Sequence, residues 1–327
     1  DEAGRTIGLT FFVDPGQRVH VRHIEFTGVT RTRDDVLRRE MRQLEGATLS
    51  TTALVRSEQR LRRLPYVEEA KVETTPVPGV DDQVDVTVAV KEGPSAQIGG
   101  GIGYSQSQSF VLNGEYVDSN VFGSGERIAA QLNGGSYSRI YSFSHTQPYV
   151  TLDGISRTLS VSYSDVSRLT SSFSEFKTST YAGSMEFGYP IAERASVFSG
   201  LSYQYADLAT VSDSSSQLRD WVRRNGDYYF RRVGSDSVLG TRIDMVELTA
   251  GIVYDTRDRY LFAERGAMHR LTFGVTVPGS AIQFATASYR GQQFLRFDKV
   301  PVLRRVLFGA PSPRWSAAAP RPTRSGC

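Results

Sequence analysis

The stretch VDVTVAVKEGPSAQIGGGIGY (Val84–Tyr104) decides how the rest of the chain is read. In its first half Val84, Val86, Val88 and Val90 alternate with Asp85, Thr87 and Ala89, the two-residue period of a strand with one buried face. Gly93-Pro94 then interrupts the chain. In its second half Gly99, Gly100, Gly101 and Gly103 crowd around Ile98, Ile102 and Tyr104. Helical periods occur before this junction and vanish after it.

Working toward the N-terminus, the residues read as a compact β-α-α-β-β unit over 18–93. Val19, Val21, Ile24 and Phe26 fit a strand only if it carries a bulge or register slip, and Gly28 stops it. The span 32–42 reads as a helix with Thr32 as N-cap, Asp34 and Asp35 in its first turn, and Val36, Leu37, Met41 and Leu44 as its apolar stripe; Gly46 ends it. A second helix runs over 51–64, with Leu54, Val55, Leu61 and Leu64 inward, closed by Pro65. A strand follows over 67–75, then a turn at Pro76, Pro78 and Gly79.

Toward the C-terminus, segments of roughly ten residues alternate in polarity, as membrane-barrel strands do. Leu159, Val161 and Tyr163 alternate with serines. Leu201, Tyr203 and Tyr205 alternate with Ser202 and Gln204. Val246, Leu248, Ala250, Ile252 and Tyr254 alternate with Glu247, Thr249 and Gly251. Leu271, Phe273, Val275 and Val277 repeat the pattern. A soluble sandwich would alternate likewise, with the apolar face inward. Two features favour the membrane. The segments follow one another as a meander without helices, and the connections alternate between short (105–109) and long and polar (165–180, 206–242). About ten strands fit before Phe297, and another starts at Val302. Residues 310–327, rich in Pro, Ala, Arg and Ser, show no alternation and read as a non-barrel, aberrant tail.

Composition agrees with this division. The chain has 327 residues, 39% hydrophobic and 22% charged, which argues against disorder. No run of about 18 uncharged apolar residues exists, so a transmembrane helix is excluded while a barrel is not. The 30 Gly, 16 Tyr and 17 Phe suit a turn-rich β chain. A net charge of +3 is too small to argue for nucleic acid. The single Cys, Cys327, forbids an internal disulfide and a Cys-rich metal site. Asp1–Thr10 has neither the basic start nor the apolar core of a signal peptide.

A small β-α-α-β-β unit followed by an alternating β region resembles the polypeptide-transport-associated (POTRA) plus barrel proteins of bacterial outer membranes. Within that superfamily it is most similar to the outer-membrane protein assembly factors. The motifs that carry the resemblance are ordered along the chain. Arg38 to Gly46 (RREMRQLEG) looks like the first helix of the last POTRA domain, and Gln83–Glu92 like its final strand. Gly101-Ile102-Gly103-Tyr104 looks like the first barrel strand. Asp118-Ser119-Asn120 with Gly123-Ser124-Gly125, and Gln147-Pro148-Tyr149 with Asp153-Gly154, look like periplasmic turns. Asp255-Thr256-Arg257-Asp258 with Gly266 resembles the turn most typical of the superfamily, and Val277-Pro278-Gly279-Ser280 matches further on.

The resemblance implies an α+β POTRA domain over 18–93 and, over 94–309, the N-terminal part of an antiparallel transmembrane β-barrel that is incomplete at its C-terminal part. Residues 1–17 then look like the end of a preceding POTRA domain, which also accounts for the missing signal peptide. The family's Val-Arg-Gly-Phe loop and last strands are not in the sequence, and Ala263 stands where the family usually has Pro. Location in the outer membrane, with the POTRA domain in the periplasm, is part of the same implication.

Several candidate sites follow from the resemblance. Gly99, Gly100, Gly101, Gly103 and Tyr104 would form the lateral-gate strand, whose weak pairing lets a client strand add to its edge. The plain alternative is that these glycines fit a crowded barrel corner. Arg38 and Glu45 would help dock a lipoprotein subunit of the assembly complex, where the residues alone read as a solvated helix face. The strand Val84–Val90 is a further candidate edge for unfolded clients. Asp255, Arg257, Asp258 and Gly266 read as a structural turn with an ion pair.

Chemistry reads poorly elsewhere. His20 and His23, three apart on a strand, point to opposite faces, and no metal site follows. Gly99–Gly103 opens no helix, so it is no nucleotide loop. Ser144 and His145 are neighbours that face opposite ways, and no Gly-x-Ser-x-Gly elbow occurs. The reading is therefore a non-enzymatic assembly factor that uses no cofactor or ATP. Its partners would be lipoprotein subunits, unfolded outer-membrane clients and the lipid bilayer, with no nucleic acid. The alternatives are a two-partner secretion transporter of the same superfamily and a non-functional truncated fragment.

Overall fold

The computed structural model describes residues 18–105, 109–151, 153–170, 174–211, 214–233, 236–258, 263–295, 306–309 and 314–317. Residues 1–17 and the rest of the 310–327 tail lie outside these. The chain forms two compact units. The first comprises the residues up to Thr30, Leu37–Arg62 and Val67–Glu92; the second comprises Arg31–Val36, Arg63–Tyr66 and everything from Gly93.

The first unit is a three-stranded sheet with helices. Its strands are β1 (His20–Thr27), β2 (Val67–Pro76) and β3 (Gln83–Glu92), in the order β1-β3-β2. β3 alternates as its valines require: Val84, Val86, Val88 and Val90 are buried between half-exposed or exposed neighbours. It pairs parallel with β1 and antiparallel with β2. With both edges occupied, the Val84–Val90 strand has no free edge for a client, which corrects that expectation.

The register slip in β1 is present between Val21 and His23. It lets Val21 and Ile24, three apart, both turn inward. It also leaves His20 and His23 both exposed, not on opposite faces. Helix α1 is only Asp34–Arg38. Beyond it Glu40 and Met41 make three-residue turns to Leu37 and Arg38, and buried Glu40 is held by Arg60 at 2.6 Å. These side-chain ties pull the segment out of helical register, and Leu44 ends up exposed. The Thr32 hydroxyl accepts a bond from Asn120 within the second unit. Helix α2 (Thr51–Leu61) starts on the Ser50 cap and buries Leu61 and Ser57, while Val55 stays exposed.

The second unit is one antiparallel sheet. Its strands are β4 (Ala96–Ser105), β5 (Ser109–Asp118), β6 (Arg127–Gly134), β7 (Ser138–Gln147), β8 (Ser156–Thr170), β9 (Ser174–Ala192) and β10 (Ala195–Thr210). After helix α3 (Ser216–Arg224) come β11 (Asp227–Val233), β12 (Asp236–Asp255), β13 (Gly266–Thr276), β14 (Ala285–Leu295), β15 (Val306–Gly309) and β16 (Arg314–Ala317). The order runs from β15 through β14, β13, β12, β10 and β9 down to β4, with β11 on β12 and β16 on β14. Among the described residues the sheet does not close: β4 has a partner only in β5. The four-residue strand β16 falls in the stretch read as non-barrel and pairs with Ala285–Ser288.

Which face is apolar separates a membrane sheet from a soluble one. Leu159, Met185, Leu201, Leu248 and Val275 form one register row across β8, β9, β10, β12 and β13. They are 38–51% exposed. The opposite face is the better buried one, with Phe198 at 6% and Ala206 at 7%. A soluble sandwich would bury the leucine row. On the same apolar face Tyr141, Tyr163, Tyr181 and Tyr205 form a row on four adjacent strands, with ring centroids 6.0, 4.8 and 6.3 Å apart. Such a row is the aromatic girdle of a membrane interface. The polar face is ordered by charge: Arg270 donates to Glu186 at 2.9 Å and lies 3.9 Å from the centre of the Phe198 ring.

The expected long polar loops are mostly strand. β8 and β9 continue to Thr170 and from Ser174, and 206–242 contains the end of β10, α3, β11 and the start of β12. Past the tyrosine row both faces of a strand are wet, so polar alternation disappears while backbone pairing continues.

The burial pattern of α2 sets a stability test. Leu61→Ala should destabilise the first unit by about 2–5 kcal/mol, and Val55→Ala by less than about 0.5 kcal/mol, in equilibrium denaturant unfolding.

Candidate functional site

Among the described residues β4 is the end strand of the sheet, and its register with β5 is unbroken from Ala96–Asp118 to Ser105–Ser109. Gly99, Gly101 and Gly103 share one face, opposite Glu115, Asn113 and Val111. A Cβ added at any of the three would meet nothing within 4 Å, and at Gly100 only the Asn113 carbonyl oxygen at 3.3 Å. Crowding among the described residues therefore does not require glycine here. The consequence is energetic: three successive cross-strand positions have no side chain to pair, and each glycine has extra backbone freedom to lose. The other face of β4 carries Ile98, Ile102 and Tyr104, which are 87%, 78% and 70% exposed. Tyr104 meets Phe110 of β5 edge to face at 5.3 Å. All five predicted gate residues therefore lie on β4, with Gly99, Gly101 and Gly103 on one face and Gly100 and Tyr104 on the other.

The Asp255 turn is a rigid clasp. Arg257 grips Asp255 with two guanidinium nitrogens, Nη2 at 2.6 Å and Nε at 3.0 Å, and its backbone N–H donates to the same carboxylate. Asp258 Oδ1 accepts from the Glu264 and Arg265 amides. Thr256 and Ala267 exchange backbone and hydroxyl bonds. Gly266 has φ +104°, and a Cβ there would lie 2.3 Å from the Thr256 carbonyl oxygen. Asp255 N–H also donates to Arg194 O, between β9 and β10. All four predicted turn residues act in joining β12 to β13, and none is poised for chemistry.

Arg38 and Glu45, seven residues apart, form a 3.0 Å ion pair. Glu45 Oε1 also accepts the Ile24 N–H at 2.8 Å, and Arg38 Nη2 donates to Ile24 O at 3.1 Å. The pair thus completes the edge of β1 where its bulge has disturbed the ladder. The Arg38 guanidinium lies 5.5 Å from the Phe26 ring centre, and His23 Nδ1 lies 3.2 Å from Glu45. The Ile24 N–H, followed by Arg38 and His23, holds the Glu45 carboxyl below its ordinary value of 4.5, against a smaller opposing effect of burial. The seven-residue spacing gave no hint of this triangle, because the bulge that brings Ile24 opposite Glu45 is a tertiary event. Both side chains remain about 40% exposed. His145 pairs with Glu126 at 2.9 Å. Among the described residues no group of three or more His, Cys, Asp or Glu is arranged to hold a metal.

Comparison with known proteins agrees with this architecture. The Omp85 superfamily domain model matches residues 120–317, and the POTRA model, described as a surface antigen variable number repeat, matches residues 19–93. The outer membrane protein assembly factor BamA of Neisseria meningitidis serogroup B is 26% identical over 298 residues, 90% of this chain and 36% of that protein. BamA of Nitratidesulfovibrio vulgaris is 29% identical over 65% of this chain and 26% of its own length. The chain therefore spans 36% and 26% of the length of these two relatives. The crystal structure of BamA from Haemophilus ducreyi lacking POTRA domains 1–3 superposes with a TM-score of 0.61 at 28% identity, covering 88% of this chain and 53% of that one. CdiB from Acinetobacter baumannii, with a TM-score of 0.53 at 10% identity over 86% of this chain and 50% of its own, shares the fold alone.

The Glu45 triangle predicts a pH dependence. A carboxyl depressed on folding contributes stability above its unfolded value, and that contribution is lost as pH falls through the folded one. Glu45→Gln should lower the unfolding midpoint of the first unit at neutral pH. The gap to wild type should close as pH drops below 4.5, the ordinary glutamate value. Denaturant titrations across that range check it.

Proposed function

The chain belongs to the Omp85 superfamily, and on that premise we propose that it is the barrel-bearing portion of an outer-membrane protein assembly factor. It is an outer-membrane protein with its POTRA domain on the periplasmic side. Its work is to fold and insert client barrels without a covalent step or a cofactor. The POTRA domain receives unfolded clients and β4 templates their strands. The client supplies the driving force, since its backbone pairs and its apolar face leaves water.

One observation carries this reading: glycines that packing among the described residues does not demand lie on the strand that directly follows the POTRA domain. A strand needed only as wall would gain from side chains there. A strand that must exchange partners benefits from their absence, because its pairing can be lost and regained at little cost. Strand addition then specifies the client by backbone pattern and not by sequence.

The exposed Arg38–Glu45 corner is the proposed docking point for a lipoprotein subunit. Its geometry suits a partner arginine that shares the outer lone pairs of Glu45. Because Glu45 already serves Ile24 and Arg38, such a partner would join the network and not create it.

The test is Gly99→Val, Gly101→Val and Gly103→Val together in the full-length protein, reconstituted in vesicles with a urea-unfolded client barrel. The variant should fold, since each side chain has room, and client insertion should fall about tenfold or more, the effect of roughly 1.4 kcal/mol in strand exchange. Insertion at the wild-type rate by a folded variant would refute the proposed role of β4.

A further inference from the structure

The turn from β5 to β6 carries a feature that neither the ladder nor the superfamily motif explains. Phe122 has φ 50° and ψ 29°, the only positive φ outside glycine among the described residues. It is also 97% exposed, the most exposed large apolar side chain described. A left-handed backbone suits Gly or Asn, and an aromatic there is strained. A turn with no other duty would hold one of those residues and leave no phenyl ring in water.

The base under the ring is rigid. Asn120 Oδ1 accepts the Gly125 N–H at 2.8 Å, and Asn120 Nδ2 donates to Thr32 Oγ1 at 2.8 Å, both buried. Val121 N–H donates to Glu126 O, Ser124 Oγ to Val121 O, and Arg33 N–H to Gly123 O. Gly123 admits no substitute, because a Cβ would lie 2.1 Å from the Arg31 carbonyl oxygen. These groups all belong to the second unit. Six positions of the turn are spent on fixing the backbone, and the ring it presents is almost wholly exposed.

The surroundings identify what covers it. On the lipid-facing side Leu112 and Leu132, 58% and 54% exposed, lie toward the far ends of β5 and β6, and Tyr116, 41% exposed, carries the apolar surface to within two residues of the end of β5 at this turn. The next connections at the same end of the sheet repeat the feature: Val150 between β7 and β8 is 40% exposed, and Ile191, at the end of β9, is 52% exposed. Apolar tips on successive turns at one end suit the boundary between headgroups and acyl chains.

We infer that Phe122 is an anchor that enters the periplasmic leaflet of the outer membrane beside the β4 edge. Its occupant is the headgroup–acyl boundary of phospholipid. A rigid turn delivers the ring with little ordering entropy to lose, and burial of the ring in lipid offsets the strain of its backbone. Because β5 pairs with β4, the anchor sits one strand from the proposed site of client entry and fixes the depth at which that strand meets the leaflet. The inference rests on the membrane reading above.

The test uses the full-length protein in vesicles of phosphatidylethanolamine and phosphatidylglycerol, with Trp221→Phe and Trp315→Phe as background. Phe122→Trp reports the turn, and Leu132→Trp on the lipid-facing side of β6 reports insertion. Phe122→Trp should emit blue-shifted, lose most of its quenching by acrylamide, and be quenched by lipid brominated near the headgroup. Quenching of Leu132→Trp by brominated lipid, with Phe122→Trp emitting as in water, overturns the anchor and leaves the barrel reading intact. A blue shift of Phe122→Trp only after unfolded client is added also overturns it, in favour of a client contact. If neither tryptophan is reached by brominated lipid, the membrane reading fails and the anchor with it.

Discussion

In hydrocarbon an unpaired backbone N–H or C=O has no water to turn to, and a spanning sheet must pair every such group. This constraint organises the second unit. It explains why the lipid-facing part of the unit is strand throughout, while helix α3 lies beyond the tyrosine row. It also makes the edge of β4 chemically potent. In the proposed exchange, the glycines of β4 mean that whatever pairs there need not displace packed side chains.

The clasp at Asp255 and the turn at Asn120 serve the opposite purpose. Each spends charged or buried polar groups on holding a connection in one geometry, and each contains a glycine whose Cβ would collide with a carbonyl oxygen. Of the two, the Asn120 turn lies one strand from β4, and the Asp255 clasp fixes the distant β12–β13 connection. In the first unit the Arg38–Glu45–Ile24 triangle does similar work, sealing the place where β1 slips register.

Residues whose partners lie next to them in a strand row were legible from the sequence. Leu159–Tyr163 and Val246–Tyr254 alternate because one face is apolar and the other is not, and that pattern survives any tertiary detail. The β1 slip was legible because Val21 and Ile24 cannot both be buried otherwise. Leu44 was misread because its helix stops at Arg38, where Glu40 turns to Arg60, a contact 20 residues away. The extent of β8, β9 and β12 was hidden for a different reason: strands wet on both faces have no polarity period to find. The gate glycines could be singled out, but not the room around them, which depends on β5. Phe122 gave no signal at all, since only the backbone dihedral and the exposure mark it.

The central claim is that β4 is held weakly enough to change partners. Amide hydrogen exchange of the full-length protein in vesicles tests it most directly. The account predicts that the amides of β4 exchange far faster than those of β9 and β10, and become protected when an unfolded client barrel is added. Amides of β4 as protected as those of β9 before any client is present, and unchanged by its addition, would contradict it.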